Sequence, residues 1–396
     1  MAVDSKSVVN ELRSLPDAEQ KERGYFHTLR EILQQPATWR ETAREMAAIS
    51  RELHAQVDGI RAMVLTGSGS SLYAGELVAP FLRARLRRTV QAVSGGDLVV
   101  FGSEAIPAGR PALMVSIARS GESPESAGAV SSILDAERDV RHLIITANRD
   151  SPLAKDFASD PRVSVVTLAD ATCDRSLVMT SSFTNLALAA FALGEDSEYA
   201  GAVERLAKAT EQLQAKHADT LARVAETGFR RAVYLGSGSN FGAAREGALK
   251  MLEMTAGRVG TIAETYLGLR HGPMSYVDSE TLMVCFLSGD PLVRAYEADL
   301  VREINRKQLG AMKVISGVDV PDDLVGANDV VLEDGALEGF RDGYAALRNV
   351  VSAQFLGFFR CRAEGLRPDS PSDEGVINRV VESFTLHGAD GRGQGE

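Results

Sequence analysis

Arg119-Ser120-Gly121-Glu122-Ser123-Pro124-Glu125-Ser126 stands between an apolar run, Ala112 to Ile117, and a segment of helical character, Ala127 to Leu134. The apolar run reads as a buried strand. Ser123 suits an N-cap, and Pro124 suits the first helical position, where its missing N–H costs nothing. A strand, a tight Ser/Gly loop and the positive end of a helix together place backbone N–H groups and hydroxyls where an anion such as phosphate would sit. Taken alone, the loop reads first as an ordinary strand-to-helix turn with a good cap.

Working outward, Ala62-Met63-Val64-Leu65 is a short buried strand, followed by Gly67-Ser68-Gly69-Ser70-Ser71 and a helix from Leu72 to about Leu86. Further strands are expected near Thr89 to Val93, Leu143 to Thr146 and Val163 to Leu168. Strands alternating with helices imply a parallel sheet covered on both faces. The pattern then restarts. Ala232-Val233-Tyr234-Leu235 precedes Gly236-Ser237-Gly238-Ser239, which repeats the tetrapeptide Gly67 to Ser70 at an offset of 169 residues. Leu282-Met283-Val284 lies 169 residues after Leu113-Met114-Val115, and Val314-Ile315 lies 169 or 170 after Ile144-Ile145. One common offset for several strands predicts a duplicated α/β unit rather than a solenoid. Phe26, Leu29, Ile32 and Leu33, then Ala43, Met46, Ala47 and Ile49, predict an N-terminal helical arm. Gly194 to Thr227 reads as a helical connector carrying its own turns.

The copies differ chemically. Where the first has Arg119-Ser120-Gly121-Glu122-Ser123, the second reads Leu287-Ser288-Gly289-Asp290-Pro291, whose acidic residue suits a phosphate poorly. The second copy instead carries Glu246 and Lys250 on the helix after its Gly loop, and His271 in Arg270-His271-Gly272-Pro273. Four residues apart on a helix, Glu246 and Lys250 form either a plain ion pair or a carboxylate base with its counter-ion. His271 is either structural or a positioned acid–base group in a rigid turn. A division of labour is expected: the first copy anchors an anion, the second moves protons.

Composition narrows the field. A net charge of −11 without basic blocks argues against nucleic-acid and membrane-surface partners. Arg83, Arg85, Arg87 and Arg88 form the one dense basic cluster, read as a solvated helix end. Three distant cysteines, Cys173, Cys285 and Cys361, indicate neither a zinc knuckle nor a disulfide framework and fit a reducing cytoplasm. Met1 to Leu15 lacks the apolar core of a signal peptide. Dinucleotide binding is disfavoured, because the third fingerprint glycine is replaced by Leu72 in one copy and Phe241 in the other. No Walker lysine follows either loop, no hydrolase elbow is present, and no metal-ligand spacing occurs.

With these residues assembled, the chain resembles tandem SIS (sugar isomerase) domain proteins. The resemblance is carried by the paired Gly-Ser-x-Ser units, Ser120-Gly121-Glu122-Ser123, the run Gly242 to Glu253 and Arg270-His271-Gly272-Pro273. It looks most similar to the AgaS group of amino-sugar-phosphate isomerase/deaminases, through Gln35-Pro36-Ala37-Thr38-Trp39, Asp174-Arg175, Met179-Thr180-Ser181-Ser182, Pro368-Asp369-Ser370-Pro371 and Val376 to Val381. It is similar, more distantly, to the isomerase half of glucosamine-6-phosphate synthase. The implied fold is α/β: two tandem SIS domains (51–200 and 229–366), each a flavodoxin-like parallel sheet flanked by helices. An arm (1–50), a connector (201–228) and a C-terminal tail (367–396) with a disordered end complete it.

The resemblance implies that Ser70, Ser71, Arg119, Ser120 and Ser123 hold a sugar phosphate and that Gly69, Val178 and Thr180 meet the sugar. Glu246 would move a proton between C1 and C2, beside Lys250. His271 would assist ring opening, reaching into the neighbouring subunit's site of a homodimer. Arg379 stands near the place of an active-site lysine in the synthase; a guanidinium forms no Schiff base, so a binding or electrostatic role is implied. Arg119 occupies a glutamine position of the synthase. The expected activity is conversion of a hexosamine 6-phosphate, galactosamine 6-phosphate above all, to a ketohexose 6-phosphate and ammonia, without cofactor or metal. The alternatives are plain aldose–ketose isomerisation of the tagatose 6-phosphate type and a sugar-phosphate sensor without turnover. Against a sensor, Met1 to Leu53 does not resemble a DNA-binding helix-turn-helix.

Overall fold

A computed structural model describes residues 7–195, 198–333, 335–340, 342–372, 375–382 and 384–387. The tail end expected to be disordered, 388–396, lies outside the described residues. The chain forms two compact units. One comprises Thr38–Cys173, Ser181–Ala200 and Gly375–Glu396; the other comprises Met1–Ala37, Asp174–Thr180 and Gly201–Glu374.

The arm is helical: α1 (Val8–Ser14), α2 (Asp17–Glu22), α3 (Phe26–Leu33), α4 (Gln35–Ala48) and α5 (Ser50–Val57). The first sheet holds β1 (Ala62–Gly67), β2 (Thr89–Ser94), β3 (Ala112–Ala118), β4 (Val140–Thr146) and β5 (Val163–Thr167), with α6 (Ser70–Leu86), α7 (Gly95–Phe101), α8 (Pro124–Ala136) and α9 (Pro152–Lys155) between them. Its strands are all parallel, in the order β2-β1-β3-β4-β5. Every residue of β1 and β3 is buried, whereas in the edge strand β2 only Val90 and Val93 are. Helices on both faces impose that difference. Ala62, Val64, Ala112 and Met114 point to one face, where they share a core with Ala129, Val130 and Ile133 of α8. Leu65 points to the other, where it packs under Gly75 of α6.

After α10 (Ser181–Phe191), the expected connector is, from Tyr199, one uninterrupted 28-residue helix, α11 (Tyr199–Glu226), without turns of its own. The second sheet holds β6 (Arg231–Leu235), β7 (Gly260–Glu264), β8 (Thr281–Phe286), β9 (Met312–Gly317) and β10 (Val330–Glu333). Between them lie α12 (Ser239–Met254), α13 (Tyr266–Leu269) and α14 (Pro291–Lys307); α15 (Asp342–Ala363) follows. Read from its own first strand, the order β7-β6-β8-β9-β10 repeats that of the first sheet. The duplication extends to backbone angles: Gly69 and Gly238, each just before a helix, have φ 56° with ψ −127° and −126°. That left-handed region favours glycine, so the same residue starts both helices for the same reason.

Three of the four arginines in the basic cluster at the end of α6 bond backbone carbonyls. Arg83 donates to Val90, Arg85 to Gly194 and Arg88 to Ile60. Among the described residues, no helix is long and apolar enough to cross a membrane.

Helix α12 lies close against its sheet because of Gly247. A Cβ there would stand 2.8 Å from the Tyr234 ring and 3.0 Å from Ala353 Cβ. Alanine at a helical glycine ordinarily stabilises by about 1 kcal/mol. Here Gly247→Ala is expected instead to destabilise the protein by about 1–3 kcal/mol through overpacking, read as a lower midpoint in urea unfolding.

Candidate functional site

In the β1–β5 unit the strand order reverses at β1 and β3, whose C-terminal ends lie side by side through the parallel pairing Thr66↔Ser116. α6 and α8 leave on opposite faces, so the two following loops flank a crevice at a topological switch point, where α/β sheets bind ligands. Gly67 to Ser71 forms the first wall. Ser71 N–H donates to Ser68 O at 3.1 Å and Tyr73 N–H to Gly69 O at 3.1 Å, closing the first turn of α6, and Ser70 and Ser71 are buried there. Arg119 to Ser123 forms the second wall. Gly121, at φ 63°, fits against Ser151, whose Oγ would lie 2.6 Å from an added Cβ. The Asn148 side chain donates to Ser120 O at 3.0 Å and Leu153 N–H to Gly121 O at 3.2 Å. The loop after β4 thus braces the loop after β3.

Ser123 takes the N-cap position with extended backbone, and Pro124 opens α8, but the Ser123 hydroxyl makes no capping bond. It pairs with Ser126 Oγ at 2.7 Å. Arg119 and Arg379 come together: Arg119 Nη2 donates to the Arg379 carbonyl at 2.5 Å, and Arg379 Nη2 lies 3.6 Å from Cys173 Sγ. The structure therefore gathers Gly69, Ser70, Ser71, Arg119, Ser120, Ser123 and Arg379 in this unit.

The β6–β10 unit holds the others. Glu246 and Lys250 of α12 are fully buried, with Lys250 Nζ 3.4 Å from Glu246 Oε1 and in contact with the Glu253 carboxylate. This is no exposed helical pair: burying two charges requires close compensation. His271 follows α13 on an exposed turn, its N–H bonded to Gly268 O at 3.0 Å. Val178 and Thr180 belong to the segment Asp174–Thr180, whose ends are tied by Thr180 N–H donating to Asp174 Oδ2 at 2.6 Å.

The equivalent crevice of this unit is closed by the protein's own carboxylates. Asp290 caps α14, its Oδ1 accepting from Leu292 N–H at 2.9 Å and Val293 N–H at 3.1 Å. Asp342 accepts from Gly289 N–H at 2.8 Å and Ser288 Oγ at 2.5 Å, and Glu297 accepts from Ser288 N–H at 2.7 Å. Burial pushes the Glu297 carboxyl up to about 7. The anion donors of the second copy are occupied from within.

Sequence reasoning passed over Glu31, Glu253, Glu297 and Asp342. For Glu31 a signal existed: an acidic residue on the apolar stripe of α3, between the buried Leu29 and Ile32.

With this geometry in place, relatives can be set beside it. No family model matches the chain. It is 40% identical over 377 residues to the AgaS protein of Streptomyces coelicolor, covering 91% of this chain and 95% of that one. It is 33% identical over 371 residues to the D-galactosamine-6-phosphate deaminase AgaS of Escherichia coli, again covering 91% and 95%. The chain belongs to the AgaS family. Among solved structures, tagatose-6-phosphate ketose/aldose isomerase from Escherichia coli matches with a TM-score of 0.82 at 31% identity, over 89% of this chain and 95% of that one. The AgaS family thus supplies the two parallel-sheet SIS units, and its named members are sugar-phosphate enzymes.

The two loops make opposite predictions for stability. Asp290→Ala removes a cap bonded to two N–H groups and is expected to cost about 1 kcal/mol. Ser123→Ala, at the matching place, removes only the contact to Ser126 and is expected to leave stability within about 0.5 kcal/mol. Urea denaturation of both variants checks the contrast.

Proposed function

We propose that this chain is a hexosamine-6-phosphate deaminase/isomerase, converting galactosamine 6-phosphate and water to a ketohexose 6-phosphate and ammonia. The observation that carries the reading is the inequality of the two loops in a member of the AgaS family. One copy starts α8 at Ser123, which makes no capping bond, with Arg119 at the head of the same loop; the other bonds the N–H groups of its loop and helix start to Asp290, Asp342 and Glu297 and buries a carboxylate, Glu246, beside Lys250.

In this reading Ser70, Ser71, Ser120 and Ser123 hold the phosphate with the starts of α6 and α8, and Arg119 adds charge. Gly69, Val178 and Thr180 meet the sugar. Glu246 takes the proton from C2 of the open-chain aldose and returns it at C1. The resulting 2-imine adds water and releases ammonia, so the sugar carbons undergo no net oxidation. A base must be ionised to act, and the Lys250 ammonium compensates the charge that Glu246 buries. Binding energy from the phosphate holds the distant reacting carbons in place. His271 assists ring opening in the partner subunit of a homodimer, for which its exposed turn is suited, and Arg379 acts electrostatically. The enzyme is placed in the cytoplasm, in keeping with free thiols at Cys173, Cys285 and Cys361. A second reading, aldose–ketose isomerisation without ammonia, is favoured by the likeness to the Escherichia coli tagatose-6-phosphate isomerase.

Ammonia and ketose 6-phosphate are measured together, with galactosamine 6-phosphate and glucosamine 6-phosphate side by side. Equal amounts of both products from the galacto epimer are expected. Interconversion of tagatose 6-phosphate without ammonia from either amino sugar selects the second reading, and binding without turnover selects a sensor. Glu246→Gln is expected to lower kcat by about 10²–10⁴ while sugar-phosphate binding persists.

A further inference from the structure

Gly128 lies in the second turn of α8, where alanine would favour the helix. The backbone there does not call for glycine; a neighbour does. A Cβ at this position would stand 2.8 Å from Leu386 Cδ1, 3.4 Å from Leu386 Cδ2 and 3.2 Å from Val99 Cγ2. The bare Cα of α8 and the Val99 side chain of α7 thus form a socket that the Leu386 methyl groups fill.

Leu386 belongs to the C-terminal tail, whose described residues, 375–382 and 384–387, are part of the β1–β5 unit. Along it Val376, Ile377, Val381 and Phe384 are exposed, whereas Val380 and Leu386 are half-buried. Seven residues before Leu386, the Arg379 carbonyl accepts from Arg119 Nη2, and Arg379 Nη2 lies 3.6 Å from Cys173 Sγ. The unit therefore holds the tail at two points: on the loop that leads into α8, and on the second turn of α8 itself.

Seven residues span at most about 25 Å. Seating Leu386 confines Arg379 to the neighbourhood of the Arg119 loop and raises its effective concentration there. The socket works from outside the crevice, so no substrate atom has to reach it. We infer that Leu386, seated between Gly128 and Val99, is a positioning residue that keeps the tail on the β1–β5 unit and Arg379 on the loop from Arg119 to Ser123. The inference rests on the reading above, in which that loop holds the sugar phosphate and Arg379 acts on it electrostatically.

Gly128→Ala separates the socket from the fold. Its methyl group would meet the free ends of Leu386 and Val99 rather than backbone, so Leu386 is displaced while α8 gains a better helix former. Trypsin cleavage after Arg379, read by mass spectrometry as release of the peptide that begins at Val380, reports how often the tail lifts. It is expected to be about fivefold faster in Gly128→Ala and in Leu386→Ala than in wild type, and near the wild-type rate in Leu386→Met. Fivefold corresponds to about 1 kcal/mol, the scale of half-burying a leucine. With galactosamine 6-phosphate, KM is expected to rise by about the same factor in the first two variants at little-changed kcat, and Leu386→Met again stays near wild type. The urea midpoint of Gly128→Ala is expected to be unchanged or higher. The double variant Gly128→Ala/Leu386→Ala is expected to match Leu386→Ala alone, because without the leucine the added methyl group displaces nothing.

Equal trypsin rates in all variants, a lowered urea midpoint in Gly128→Ala, or faster cleavage with unchanged KM would each overturn the inference while leaving the enzyme assignment standing. A wild type that turns over no sugar phosphate overturns the assignment and the role in binding together; the trypsin rates then still decide whether Leu386 holds the tail.

Discussion

Pairing of β1 with β3 is the constraint on which the β1–β5 unit depends. The two strands are neighbours although β2 lies between them in sequence, because the chain lays β2 on one side of β1 and returns to start β3 on the other. Right-handed crossovers then send α6 and α8 to opposite faces. Two helix starts are left beside one another at the same sheet edge, and partial positive charge accumulates there from backbone geometry alone. A chain with a net charge of −11 can therefore receive an anion without a basic surface.

The same scaffold, repeated at β6 and β8, shows that geometry by itself does not make an anion site. Ser288 and Gly289 present N–H groups at the corresponding edge, and Asp342 and Glu297 take them. A carboxylate delivered by the chain has a high effective concentration and outcompetes a dissolved anion. Duplication thus left two crevices of one shape, and two side chains from α14 and α15 distinguish them.

Much of this was legible in the sequence because parallel buried strands are continuous apolar runs and their loops are short. Ala112 to Ile117, Ala232 to Leu235 and the two Gly-Ser-x-Ser turns carry local signals, and their common offset exposed the repeat. Contacts joining distant segments carry no such signal. Nothing in the periodicity of Asp174 to Thr180 places it with the β6–β10 unit, or ties it to Glu31 more than 140 residues earlier. Ser123 marks the intermediate case: local rules identify the cap position, but a neighbouring hydroxyl at Ser126 takes its side chain. The continuity of α11 was also hidden, because its small and polar residues mimic turn composition while its buried stripe of Val203, Leu206, Ala207 and Leu213 sustains the helix.

The buried charges of α12 remain to be explained by stability or by chemistry. The Lys250 ammonium lies against the carboxylates of both Glu246 and Glu253. Burying such charges costs desolvation that apolar residues of similar volume would avoid, and a buried pair seldom returns that cost in stability. A fully buried carboxylate is also shielded from bulk water, which favours returning an abstracted proton to the substrate rather than exchanging it with solvent. The proposed transfer of a proton between adjacent carbons supplies a reason for such an arrangement that stability alone does not.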